Sequence, residues 1–156
     1  MTTADPENTL IMDTSKGAVT IALRPDLAPG HVARIKELVR DGFYDGLVFH
    51  RVIDGFMAQT GCPHGRGTGG SGRKLKAEFS AEKHKRGTVS MARAMEPDSG
   101  DSQFFICFAE APWLDRQYTV WGEVVDGMEA VDAIEKGEPP GNPDSIVSMR
   151  VAADAA

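Results

Sequence analysis

Hydrophobic and polar residues alternate with period two near the start of the chain. Leu10 and Met12 interleave with Ile11 and Asp13, and Val19, Ile21 and Leu23 interleave with small or polar neighbours. Ser15, Lys16 and Gly17 lie between the two runs, so the pattern predicts a β-hairpin with a glycine in its turn. Pro25 and Pro29 end the second strand. Over residues 31–40 the period changes. Val32, Ile35, Leu38 and Val39 share one helical face, Arg34, Lys36, Glu37 and Arg40 take the other, and Gly42 stands where the helix would stop. A second helix is predicted over about 127–136. Asp126 and Glu129 suit a capping box there, Met128, Val131 and Ile134 form a buried stripe, and Gly137 closes it.

The remaining apolar segments read as strands, at 48–53, 56–60, 88–92, 103–108, 119–125 and 145–151. With the first hairpin they make about eight strands against two helices, a balance that suits a closed barrel or a sandwich; pattern alone does not choose between them. The glycine-rich run 65–72 and the segment 93–101 read as long exposed loops, where sites commonly sit. No repeat, low-complexity tract or linker interrupts the chain. It is therefore expected to form one domain over 1–156, with its core at about 9–151.

Composition narrows the range of functions. With 156 residues, 41% hydrophobic and 26% charged, the chain can build an ordinary globular core. The net charge of −6 disfavours nucleic acid as a partner, since no basic stripe is available to neutralise phosphates. The densest basic stretch, 73–86, is broken by Glu78 and Glu82. The first ten residues lack the basic start and apolar run of a signal peptide, and no stretch has the length of a membrane span. A cytoplasmic, monomeric protein without membrane partners is the expectation. Two cysteines, Cys62 and Cys107, are too few for a disulfide framework and read as thiols.

Two segments carry the candidate chemistry: FHRVIDGFMAQTG at 49–61, and SMARAMEPDSGDSQFFICFAEAPWLDRQYTVWG at 90–122. Between them lies GTGG at 67–70. In this order and with this content the chain resembles the cyclophilin family of prolyl isomerases from about residue 10 to 151. The short connection between Gly70 and Gly87 is similar to that of compact bacterial members. The resemblance implies a mainly β fold, a closed eight-stranded antiparallel β-barrel capped by two α-helices. It also implies peptidyl-prolyl cis–trans isomerisation of proline-containing peptides and unfolded protein chains, with no metal and no cofactor.

That chemistry explains the residue types. An X–Pro amide is planar by resonance, and rotation faces a barrier of roughly 18–20 kcal/mol. In the twisted transition state the nitrogen leaves conjugation and regains a lone pair. A donor aimed at it binds that state better than the planar one. A guanidinium suits the task because it stays charged and presents a rigid fork. An apolar wall helps too, because the twisted amide is less dipolar. A gain of ~10⁶ in rate asks for only about 8 kcal/mol.

By resemblance Arg51 is the catalytic arginine, and Gln59 orients it while bonding substrate backbone. Phe56, Met57, Phe105 and Leu114 map to the proline pocket. Ala92 and Arg93 fall where an extended peptide meets the groove edge, Gln103 lines the neighbouring subsite, and His50 sits beside the arginine. Trp113 matches the tryptophan that favours cyclosporin binding. Two departures stand out: Arg93 where many members carry asparagine, and Tyr118 where many carry histidine on the rim.

Other readings are weaker. Phe56, Met57 and Phe105 could be plain core, as apolar strand residues usually are; their motif favours a pocket wall. Phe49, Phe104 and Trp121 read as core. Cys62 with His64 lacks a second ligand pair for a metal. The glycines at 67–70 lack the Gly-Lys-Ser/Thr ending of a phosphate loop. His50 with Asp54 has no nucleophile elbow to make a hydrolase. The reading from another class is a proline-peptide-binding module or chaperone with incidental isomerase activity.

Overall fold

The computed structural model describes residues 6–63, 70–138 and 140–155. The strands are β1 (Thr9–Thr14), β2 (Gly17–Leu23), β3 (Arg51–Ile53), β4 (Met57–Thr60), β5 (Thr88–Met91), β6 (Phe104–Cys107), β7 (Val120–Asp126) and β8 (Ile146–Val151). They form one antiparallel sheet in the order β3-β4-β6-β5-β7-β2-β1-β8. The sheet curls toward its own far edge. Main-chain bonds run from the segment just before β3 to the start of β8: Gly46 N–H to the Ile146 carbonyl at 2.7 Å, Ile146 N–H to Leu47 at 2.8 Å, and Phe49 N–H to Asp144 at 2.8 Å. Among the described residues β3 itself shares no ladder with β8. The observed form is thus a curled, half-barrel sheet whose ends meet through a short stitched segment.

One helix of real length covers it. α1 (Pro29–Arg40) buries Val32, Ile35, Leu38 and Val39 in the main core. Proline suits its first turn, where no intrahelical N–H partner exists. Glu78 reaches across the chain to accept from the Gly30 and His31 N–H groups, which satisfies two orphan donors at the positive helix end. At the other end Gly42 takes φ +75°, Phe43 N–H bonds the Leu38 carbonyl and Gly42 N–H bonds Val39, a full left-handed cap.

The second helix differs from its prediction in both length and start. α2 spans only Met128–Asp132. Its N-cap is Gly127, at φ +88°, with no side-chain capping bond, so the Asp126–Glu129 capping box does not form. Asp126 is instead paired with Thr20 as the last residue of β7. The chain must leave that strand through a left-handed residue so close to the Ala18 carbonyl oxygen that any Cβ would collide with it. The helix ends early because Gly137 is committed to pairing with Val52 through two 2.8 Å bonds. Lys136 Nζ caps the freed Asp132 and Ile134 carbonyls at 2.7 and 3.0 Å.

The alternation along β4 and β6 divides the apolar residues between two faces. Ala58, Phe104 and Ile106 point into the main core with Phe49, Tyr44 and Trp121. Met57, Phe105 and Cys107 point the opposite way, into a smaller cluster closed by Ala111 and Leu114. A sheet with both faces buried at its middle has strands that read as unbroken apolar runs. That second cluster is where the candidate site lies.

Candidate active site

Register alone lines up the key side chains. Arg51 lies opposite Gln59 in the β3–β4 pair, Gln59 opposite Phe105 in β4–β6, and Phe105 opposite Ser90 in β6–β5. Directly opposed residues share a face and stand about 4.5–5.5 Å apart at Cβ, so this row forms a continuous strip across four strands. Beside it opens a groove of about 410 Å³, counting its mouth. Met57, Phe105 and Leu114 make an apolar floor, with Phe56, Ala92 and Tyr118 partly buried against it. Arg51, Gln59 and Arg93 supply its polar edge.

Arg51 is half exposed, at 47% of its side chain. Its Nη1–H donates toward Gln59 Oε1 at 3.5 Å, and its Nε–H donates to Glu138 Oε1 at 3.2 Å. Gln59 Nε2–H in turn donates to Gln103 Oε1 at 3.0 Å. The amide orientation of Gln59 is thereby fixed: its oxygen faces the cation and its NH₂ faces Gln103.

On the rim Arg93 folds over the Tyr118 ring, with its guanidinium carbon 4.7 Å from the centroid. It also donates from Nε to the Gln117 carbonyl at 2.9 Å and from Nη1 to Ala94 and Met95. Arg93 and Tyr118 therefore stack on each other and build one edge. Trp113 is 64% exposed and tilts against Phe56, ring centroids 5.6 Å apart.

Nine of the twelve residues singled out from the sequence line this groove. The other three stand beside it. Gln103 touches it through Gln59, and Trp113 through Phe56. His50 is buried, its Nδ1 without a hydrogen-bond partner among the described residues. Burial, then the Arg51 charge, hold it below the usual imidazole range, against a hydrogen bond with Gln103. His64 and residues 65–69 of the glycine-rich run lie outside the described residues.

Two contributors escaped the sequence reading. Glu138 meets Arg51 across 87 positions of chain, a contact that no local pattern reports. Behind the wall, His84 stacks on Phe105 with centroids 6.1 Å apart. Its Nδ1 lies 3.2 Å from Asp115 Oδ1 and its Nε2 2.9 Å from Ser90 Oγ. The order Asp115–His84–Ser90 looks like a hydrolase relay, but Ser90 is 0% exposed and sealed from any substrate. Its hydroxyl donates to the Thr119 carbonyl at 3.0 Å, which makes it a brace for the wall. Burial, helped by the Asp115 charge, pushes the nearby Cys107 thiol up to about 12, so no thiolate nucleophile faces the groove.

Known proteins are similar to this chain in sequence and in fold. The family profile described as "Cyclophilin type peptidyl-prolyl cis-trans isomerase/CLD" matches residues 9–151. A Brucella suis protein named "Probable peptidyl-prolyl cis-trans isomerase" is 53% identical over 168 aligned positions, covering 97% of this chain and 86% of that one. The crystal structure of cyclophilin AquaCyp293 from Hirschia baltica superposes with a TM-score of 0.91 at 33% identity, covering 98% of this chain and 77% of that one. A Cryptosporidium parvum cyclophilin-type isomerase crystallised in the presence of the dipeptide Ala-Pro superposes with a TM-score of 0.85 at 29% identity, covering 92% of this chain and 98% of that one. With a profile match over residues 9–151, a relative 53% identical over nearly the whole chain and a fold that superposes with a TM-score of 0.91, the chain belongs to the family of cyclophilin-type peptidyl-prolyl cis–trans isomerases.

Proposed function

We propose that the chain performs its isomerase chemistry in the groove beside β3 and β4, with Arg51 as the catalytic group. The carrying observation is a guanidinium, oriented by neighbours on two sides, at the edge of an apolar floor. The proline ring of a client enters against Met57, Phe105 and Leu114, where the apolar surroundings favour the less dipolar twisted amide. Arg51 donates to the amide nitrogen as it pyramidalises, and Gln59 holds the arginine while bonding client backbone. No bond is made or broken and no proton changes hands. The interaction exists only in the twisted state, so it raises the rate without tightening ground-state binding.

Clients in this reading are extended, proline-containing peptides and unfolded chains, taken by a single-domain monomer. The Cryptosporidium relative, crystallised in the presence of Ala-Pro, supports that class. Cyclosporin is a second expected ligand, held in part by the exposed Trp113. The stitched contact between 46–49 and 144–146 supports a sheet that behaves as a closed barrel in solution.

The test is a protease-coupled assay of cis-to-trans exchange in a short Ala-Pro-Phe peptide. Wild type should accelerate exchange strongly. Arg51→Ala should lose at least about a hundredfold of kcat/KM, near 3 kcal/mol of transition-state stabilisation, with its circular dichroism unchanged. A folded variant that retained full activity would remove Arg51 from the mechanism. A folded wild type that bound the peptide without accelerating exchange would make the groove a binding module.

A further inference from the structure

We propose that Glu138 is a positioning residue for Arg51, taking its Nε–H so that the rest of the guanidinium faces the groove. The proposal rests on the isomerase reading above. Its basis is a built contact. Val52 and Gly137 exchange two 2.8 Å main-chain bonds along the outer edge of β3, and Gly137 also bridges to Pro140, so the chain turns tightly there. Antiparallel register then puts Glu138 alongside Arg51, as it puts Gln59 alongside on the other edge. The arginine is the middle member of a three-strand row.

A guanidinium has five N–H groups. Glu138 takes the one on Nε at 3.2 Å, and Gln59 takes one on Nη1 at a long 3.5 Å. Three remain, all on the Nη nitrogens of a side chain that lines the groove. Take Glu138 away, and a side chain 47% exposed keeps only the weaker of its two tethers. Such a side chain samples several rotamers, and each encounter with a client has to collect it again.

Two effects of the carboxylate compete. It fixes direction, and it subtracts positive potential from the group that stabilises the transition state. Direction outweighs potential here. The twisted amide nitrogen carries a lone pair and no net charge, so what it needs is an aligned N–H. Both partners are about half exposed, 47% and 57%, so water screens the carboxylate's field while the hydrogen bond's geometry is unaffected. As a surface ion pair the contact contributes little to stability. Its effect should fall on turnover.

The experiment compares wild type, E138A, E138Q and E138K by steady-state kinetics over a range of peptide concentration, with the Arg51 Nε–H resonance followed by NMR. E138A should lose roughly three- to tenfold in kcat while KM stays within about twofold, and its Nε–H signal should broaden. E138Q retains an oxygen that accepts from Nε–H, so it should stay within about twofold of wild type, with a sharp signal. E138K, which repels the guanidinium, should fall below E138A. Wild-type kcat in E138A, or an E138Q as impaired as E138A, overturns the assignment. An inactive wild type would instead sink the isomerase reading, and the Nε–H signal would still report whether Glu138 holds the arginine.

Discussion

Arg51 is distinguished by its neighbours more than by its exposure. A strand arginine left to itself is a solvated cation; this one is held by Gln59 and Glu138 at the edge of an apolar floor. The rim residues follow a similar logic. Trp113, 64% exposed against Phe56, turns a flat apolar face toward solvent. Cyclosporin should therefore inhibit, and Trp113→Ala should weaken that inhibition about tenfold while leaving kcat/KM on a short peptide within about threefold. Equal inhibition constants for the two proteins, measured in the same coupled assay, would remove Trp113 from the drug site. The Arg93–Tyr118 stack forms an aromatic wall on the other rim.

At the scale of elements, local pattern was legible wherever one face of a strand or helix met one environment. The hairpin turn at Ser15 and Lys16, the α1 stripe and the stop at Gly42 follow from periodicity and turn chemistry. Nine of the residues singled out by the motif line one groove, because β4 and β6 are adjacent and in register, Gln59 opposite Phe105. What failed was whatever depended on distant chain. The α2 start looked like a capping box, but the geometry of β7 leaving β2 demands a left-handed Gly127. Glu138 and His84 act through partners that no window of sequence contains. The cap gives a direct check. Gly127→Ala should destabilise by about 1–3 kcal/mol, since it combines positive φ with a backbone collision, whereas Glu129→Ala should change stability by less than about 0.5 kcal/mol. Urea midpoints settle the ranking, and a more damaging Glu129→Ala would restore the capping box.

At the scale of the whole molecule, three histidines tie folding to pH. His31, His50 and His84 are all held below the ordinary imidazole range, in each case chiefly by burial. The unfolded chain therefore binds protons that the folded one refuses. Their contribution to stability is complete above about pH 6.5 and is lost as pH falls through that value toward the lower folded-state range. Carboxylates extend the trend further into acid. Asp115 is held low by the His84 N–H bond. Burial works against Glu78, yet His31 and the helix N–H groups together still hold it low. The urea midpoint should thus drop between about pH 7 and 5 and continue to drop below pH 4. A flat profile across the first interval would show that the histidines titrate alike in both states.

The row Glu138–Arg51–Gln59–Phe105 also bears on how such a protein can diversify. Its spacing is counted in ladder hydrogen bonds, independent of how much chain separates one strand from the next. Connections can lengthen, shorten or acquire new client-facing surface without moving an atom of the row. One residue inserted between Met57 and Ala58, by contrast, would swing Gln59 to the far face and set Ala58 opposite Arg51. The architecture leaves the periphery open to specialisation and holds the chemistry to a fixed gauge, so new specificities would arise by rewriting loops around an unchanged strip of strand.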